Sequence, residues 1–372
     1  MAKIILTLCC ALAWLAAPME ARARTLTDVF GREVEAPEKV ERLIALGSSM
    51  CFVTHVGAQG MAVGVEDMEK TESTKPYIIV NRERVKDLPV IGKAGAVRIP
   101  NYEEIIRLKP DVIFIVSTER GEPDLIQRKT GVPVFAVGYG ITSFDEAMFL
   151  KSIELTGEVL GRPEQARALT DYIRALPGQL AHRPPAGAEA TAYVGGLSYK
   201  GHQGLVSTSA DFFPLDMAHI KNAVEAKNSP GHLFVNKEYL LTANPPLLFL
   251  DGNGMHLIRD GVNSDRAFHE RFKALRGGDA WTLIPNTSYF MNPQVMYANA
   301  FFMAKIAYPD AYTDLDPVAK ADEIFTAFNG APLYGWYAEH GYGYARVTIE
   351  DGRLTVEPWS AGTSTGKPSP DE

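Results

Sequence analysis

The chain has 372 residues, 46% of them hydrophobic and 22% charged, the balance of a globular protein long enough for two core-forming lobes. Its formal charge of -8 argues against a nucleic-acid binder, since nothing neutralises phosphates in bulk.

Residues 1–23 read as a secretory signal peptide. Lys3 supplies the positive start, "IILTLCCALAWLAA" the apolar core, and Ala21-Arg22-Ala23 the small-x-small cleavage site. That run is shorter than the roughly 20 apolar residues of a membrane span. Leu8 before Cys9, and Cys9 before Cys10, are too bulky for a lipoprotein site. Export would therefore leave a mature chain with Cys51 as its one cysteine, so its stability must come from packing and not from an internal disulfide. Cys51 lies in the apolar run "SSMCFVTHVG" and reads as a core residue.

Residues 24–141 read as an N-terminal α/β lobe. "LTDVFGREVEAPEKV" alternates around Phe30-Gly31-Arg32 and predicts a hairpin that feeds the buried strand "RLIAL". A Gly-Ser-Ser loop, the helix "MCFVTHVGAQG" and the strand "MAVGV" follow. Next come the helix of "NYEEIIRLKP", the strand "DVIFIVS", a helix through "PDLIQRKTG" and the strand "VPVFAVG". Strands and helices that alternate over short loops predict a parallel sheet with helices on its faces. Residues 142–180 are apolar at helical spacing with only Gly-Arg-Pro interrupting, and predict a helical connector.

Residues 181–310 read as a second lobe, opening on the strand "ATAYVGG". The segment "NYEEIIRLKPDVIFI" at 101–115 returns as "NKEYLLTANPPLLFL" at 236–250, at an offset of 135 residues. Each copy has a polar helix start, Glu at its third position, a Pro break and a buried strand. "LRGGDAWTLIPNTSYF" then takes the part of "RKTGVPVFAVGYG", and the matching order in both halves predicts a duplicated fold. Residues 311–360 form an extension: a helix opened by Asp316-Pro317, the aromatic stretch "YGWYAEHGYGY", and a hairpin turning at Asp351-Gly352. Residues 361–372 read as a disordered tail.

"DVFGREVEAPEKVERLIAL", "PNYEEIIRLKPDVIFI", the connector and the second copy together resemble the periplasmic solute-binding proteins of metal-chelate ABC importers, over roughly residues 25–310. That family carries iron-siderophore, haem and vitamin B12 ligands. The resemblance implies two Rossmann-like lobes with parallel sheets, joined by a single long connecting helix, with a ligand cleft between them. It also implies a glutamate in each lobe that docks an arginine pocket on the permease, at Glu103 and Glu238 by position in the repeat. Carboxylates in the first turn of a helix sit favourably against its dipole, which agrees with exposed positions for both.

Ligands of open parallel sheets bind beyond the carboxyl ends of the strands. Those loops offer Ser48, Ser49, Tyr139, Tyr199, Lys200, His202, Asn253 and Tyr289, with Arg98 at the mouth of the first lobe. Hydroxyls, amides and tyrosines suit a preformed ligand better than a naked ion, which would need three or four His, Asp or Glu groups. Lys200 and Arg98 would favour an anionic complex, and His202 could donate a hydrogen bond or take an open metal position.

Enzymatic patterns fail in detail. "GLSYKG" has Lys200 where a nucleophile elbow needs its second glycine, "GNGMHL" ends on the bulky Leu257, and "GTSTGKP" is too short for a phosphate loop. His269-Glu270 lacks the second histidine of a zinc-protease helix. The expected protein is thus a monomeric, non-enzymatic carrier without a resident cofactor. It would capture an iron chelate or similar metal complex and pass it to a permease and, through the permease, an ATPase. A cobalamin or a molybdate or tungstate oxyanion is the alternative cargo, and a secreted metallochaperone or enzyme the alternative class.

Overall fold

The computed structural model describes residues 24–95, 98–140, 143–182, 184, 187–224, 231–286 and 290–360; the expected signal peptide and the tail at 361–372 lie outside them. The N-terminal hairpin pairs β1 (Arg24–Thr27) with β2 (Glu33–Ala36). Asp28 holds its turn, accepting from the backbone N–H of Phe30 and of Arg32 at 2.9 and 3.0 Å. The chain then enters β3 (Leu43–Leu46), buried at every position, α1 (Met50–His55) and β4 (Ala62–Gly64).

Between β4 and the repeat lie α2 (Pro76–Val85) and the short antiparallel pair β5 (Gly92–Lys93) and β6 (Ile99–Pro100). The sequence reading left this stretch without elements, since α2 buries its face unevenly and the two strands have two residues each. The repeat itself gives α3 (Tyr102–Leu108) and β7 (Val112–Val116), followed by α4 (Glu122–Thr130) and β8 (Val134–Val137). The sheet runs β4-β3-β7-β8, with every pair parallel. Side chains alternate across β7: Val112, Phe114 and Val116 join the main core, while Ile113 and Ile115 join Ile105 and Ile126 under α3 and α4.

The connector corrects one expectation. It is two helices, α5 (Glu146–Val159) and α6 (Pro163–Gln179), not a single long one. Gly161 at φ +67° ends the first, and Pro163 starts the second at a position where its missing N–H costs nothing. The two fold back on each other, because Arg174 Nη2 reaches Glu154 Oε1 at 2.7 Å across the turn. Gly157 permits the approach: a Cβ there would lie 2.4 Å from Cβ of Ala166.

The second lobe opens with β9 (Thr191–Gly195), β10 (Ser207–Ser209), α7 (Phe213–Met217), β11 (Lys221–Asn222) and β12 (His232–Phe234). The second copy follows as α8 (Lys237–Ala243) and β13 (Leu247–Asp251), then α9 (Met255–Ser264), α10 (Arg266–His269), α11 (Lys273–Gly277) and β14 (Ala280–Leu283). Its parallel strands run β11-β9-β13-β14, the order of the first sheet position for position.

After α12 (Pro293–Ala307), the extension supplies α13 (Pro317–Asn329), α14 (Tyr334–Glu339) and the hairpin β15 (Ala345–Glu350) and β16 (Arg353–Pro358). Asp316 caps α13 by accepting from Val318 N and Ala319 N. β15 adds antiparallel to β14, so the hairpin widens the second sheet. α13 packs on α1, α2 and α6, and the buried Tyr337 hydroxyl donates to the Thr74 carbonyl at 2.7 Å. The extension therefore grips both lobes. One buried cluster runs from β3 and α1 through α12 and α13 to Trp281 on β14 and is shared by both lobes, while a smaller separate cluster lies in each lobe, around Ile113 in the first and Leu248 in the second. Among the described residues no helix is long and apolar enough to cross a membrane.

Candidate functional site

A cavity of about 250 Å³ lies where the carboxyl ends of β7 and β8 face the loops after β9 and β14. The first lobe contributes Ser117 and Thr118 after β7 and Tyr139 after β8. The second contributes Ser198 and Tyr199 after β9, Asp211 and His232 around β10 and β12, and Asn286 after β14. Five phenylalanines and three methionines add to the wall, so the site is an aromatic pocket that also carries hydroxyls, an amide, an imidazole and a carboxylate.

Two of the residues expected from sequence line this cavity. Tyr139 is buried under it, and Tyr199 stands at its rim, 43% exposed, with its ring stacked on His232 at 4.1 Å. The others go elsewhere. Ser48 is buried, held with Gly47 in left-handed backbone, and Ser49 Oγ donates to the Phe114 carbonyl at 3.0 Å inside the lobe. Asn253 is buried in the turn that Asp251 caps. Lys200 sits outside the wall with its ammonium 5.5 Å from the Tyr199 ring centre. His202 also lies outside it, edge-on to His256 at 5.3 Å, and burial first, then His256, lowers its pKa. Tyr289 lies outside the described residues.

Arg98 is not among the lining residues and is committed to partners inside the first lobe. Its Nη1 donates to Glu122 Oε1 at 2.6 Å, its Nη2 to the Val116 carbonyl at 2.9 Å, and its Nε stands 3.4 Å from Glu66 Oε1. Gly47 makes room for it, since a Cβ there would fall 2.2 Å from Nη2. Ser117 donates to the other oxygen of Glu122, so the arginine is linked through that carboxylate to a lining residue while lying outside the lining itself. Glu66 accepts from Gly47 N at 2.7 Å; burial, only partly offset by Arg98, pushes its pKa up to about 7.

Sequence reasoning missed His232 and Asp211. The Ser207 hydroxyl donates to the Leu197 carbonyl at 2.6 Å, which uses its one proton. Ser207 Oγ must therefore accept at its 2.7 Å contact with His232 Nε2, so Nε2 carries the imidazole proton. Burial lowers the pKa of His232 and so favours the neutral ring, whose lone pair in this tautomer is on Nδ1. A histidine whose far nitrogen is fixed by a hydrogen bond is oriented in the way metal-ligating histidines are. Asp211 Oδ1 accepts from Gly231 N at 2.7 Å and from Ser209 Oγ at 3.0 Å. Neither residue stands in a loop directly after a strand of the parallel sheet, where ligand groups of such sheets are expected. Among the described residues no group of three or more His, Cys, Asp or Glu could hold a bare ion.

Glu103 and Glu238 both lie exposed in the first turns of α3 and α8. Exposed apolar side chains flank each: Ile99 and Ile106 in the first lobe, Phe234 and Tyr239 in the second.

The family described as periplasmic binding protein matches residues 53–283 of this chain. The molybdate-binding protein MolA of Haemophilus influenzae is 22% identical over 327 residues, covering 82% of this chain and 90% of its own length. A periplasmic solute-binding protein from Veillonella parvula superposes with a TM-score of 0.66 at 17% identity, covering 86% of this chain and 97% of that one. CeuE of Helicobacter pylori, solved with Ni(II) bound, gives a TM-score of 0.60 at 16% identity over 82% and 95% of the two chains. These structures share the two-lobed fold.

Proposed function

The chain belongs to the family of periplasmic binding proteins, and from that premise we propose that it captures a compact metal complex between its lobes and delivers it to an ABC permease. The observation that carries this reading is the cavity where the strand ends of both lobes meet, with the tautomer-fixed His232 in its wall. A lone imidazole Nδ1 cannot hold a bare ion, but it can fill one open position on a metal that arrives already wrapped. Tyr139, Tyr199 and the phenylalanines would then embrace the wrapping. At about 250 Å³ the site suits a small iron chelate or similar complex better than a haem or a cobalamin. Glu103 and Glu238 serve as the two docking carboxylates for the permease, one to each lobe.

Native mass spectrometry on protein isolated from its own periplasm tests the cargo. The expected result is a metal-containing small molecule bound one to one and lost from His232→Ala. A metal-free organic solute, held equally by both forms, would remove the metal from the reading.

A further inference from the structure

The described cavity wall carries a carboxylate, an imidazole, aromatic rings and thioethers beside neutral hydroxyls and one amide, and no basic side chain among the described residues. Asp211 uses Oδ1 on Gly231 N and Ser209 Oγ, and its carboxylate is the charged side chain among the described lining residues. A second carboxylate stands behind it: burial first, then the charge of Asp211, raises the pKa of Asp216. His232 lines the site, and the Ser207 contacts leave the lone pair of its neutral ring on Nδ1. Aromatic faces carry negative quadrupole charge, and thioethers such as those of Met148 and Met291 are weak acceptors. The cations expected from sequence are absent from this wall: Arg98 is held by Glu66 and Glu122, and Lys200 sits outside.

We infer that the cleft selects a compact cation, with Asp211 as the counter-charge and the aromatic wall as its cage. The inference rests on the reading that the cleft is the capture site, and it reverses the charge that Lys200 and Arg98 suggested. An anion entering this wall would find hydroxyl and amide donors but also a carboxylate, with no basic side chain to offset that charge among the described residues. A cation gains from the carboxylate and can use the hydroxyl oxygens as acceptors. Asp211 is therefore a specificity-determining residue, with Oδ2, unused by the hydrogen bonds that hold Oδ1, as the oxygen left to meet the charge.

Two sources of such a cation exist, a positively charged metal complex and an organic ammonium, and calorimetry on the full mature chain separates them. The probes are tris(ethylenediamine)cobalt(III), tris(oxalato)cobalt(III) and tetraethylammonium, three compact ions of which the two cobalt complexes differ in sign of charge. Both complexes are inert to substitution, so the surface pair His202 and His256 cannot capture them. The cobalt cation should bind at least about tenfold more tightly than the cobalt anion, and Asp211→Asn should remove most of that preference. Asparagine keeps the acceptor for Gly231 N, so the variant should fold. Glu339→Gln, which removes an exposed charge far along the extension, should leave the preference unchanged and so excludes a mere effect of net charge.

Tighter binding of the anion, or a preference that survives Asp211→Asn, overturns the inference while leaving a metal-complex carrier intact. Binding of tetraethylammonium alone keeps the cation and overturns the metal. Binding of none of the three overturns the inference, and cargo found in the native protein then decides the carrier reading separately.

Discussion

Asn101 and Asn236 stand 135 residues apart and do the same work. Each caps a seven-residue helix, the first accepting from Glu104 N at 3.1 Å and the second from Tyr239 N at 2.6 Å. Each helix ends on a left-handed residue, Lys109 at φ 48° and Asn244 at φ 34°, before a proline and a buried strand. Ile105 and Leu240 fill the same place in their lobes, as do Ile113 and Leu248, and Ile115 and Leu250. The copies part at the end of the strand. β7 runs out into Ser117 and Thr118 in the cavity wall, whereas β13 ends on Asp251, which turns inward to Asn253 N and Asn286 N at 3.0 and 2.8 Å. The outer faces kept the duplication, and the faces toward the cleft diverged. Docking can thus be symmetric while capture is not.

The largest expected effect tests the symmetric part. Charge reversal at either glutamate, Glu103→Lys or Glu238→Lys, should abolish uptake in vesicles reconstituted with the permease and its ATPase while ligand affinity stays within about twofold. Loss from one lobe only would break the comparison, because it would leave the second carboxylate as an ordinary helix-start residue. A tenfold loss of ligand affinity would put that glutamate in the capture site instead.

What could be read in the sequence follows the same division. Asn caps, glutamates in first turns, the Pro breaks and the apolar strands are local signals, and they carried the duplicated sheets without any knowledge of contacts. The cavity depends on contacts that spacing does not encode. Arg98 and the Gly47 loop looked like a ligand-binding mouth, but Arg98 is taken up by ion pairs with Glu66 and Glu122 and none of these residues is in the cavity lining. His232 became visible only through Ser207, 25 residues away, whose proton fixes the imidazole tautomer. The connector misled for a related reason: helical periodicity continues through Gly161-Arg162-Pro163 although the chain reverses there.

The second test uses one buried carboxylate from each lobe. Burial pushes both Glu66 and Asp251 up to about 7, against about 4 in an unfolded chain. A raised carboxyl pKa means that the folded state holds its proton longer, so this stability is full below about pH 4 and is lost as the pH rises to about 7. Each contributes no more than about 4 kcal/mol to that fall. Urea midpoints measured between pH 4 and 8 should drop less steeply in Glu66→Gln and in Asp251→Asn than in the parent. A slope unchanged in Glu66→Gln alone would mean that Arg98 keeps that carboxylate ionised, and it would sharpen the contrast between the lobes.

The caps come next. Asn101→Ala and Asn236→Ala each remove an acceptor from an exposed helix start, and each should lower stability by about 1 kcal/mol. Unequal losses would say that one lobe leans on its tertiary packing more than the other. Because the two sites are distant and share no partner, the double variant should show the sum.

The smallest effect distinguishes the two helix ends. A left-handed residue at the end of a helix costs a branched or long side chain about 1 kcal/mol, because its Cβ crowds the following carbonyl. Asparagine pays less of that cost, since its short polar side chain can hydrogen-bond locally. Lys109→Gly should therefore raise the stability of the protein by up to about 1 kcal/mol, and Asn244→Gly by only a few tenths. The sign can turn at Asn244 for a second reason: its Oδ1 accepts from Lys273 N at 3.2 Å and ties α8 to the start of α11, a contact that glycine would remove. Thermal midpoints that rise for Lys109→Gly and stay level or fall for Asn244→Gly would show that the second copy has turned its helix end into a tertiary tie. Equal gains at both would show that the two ends are still interchangeable, and that the divergence between the lobes is confined to the cleft.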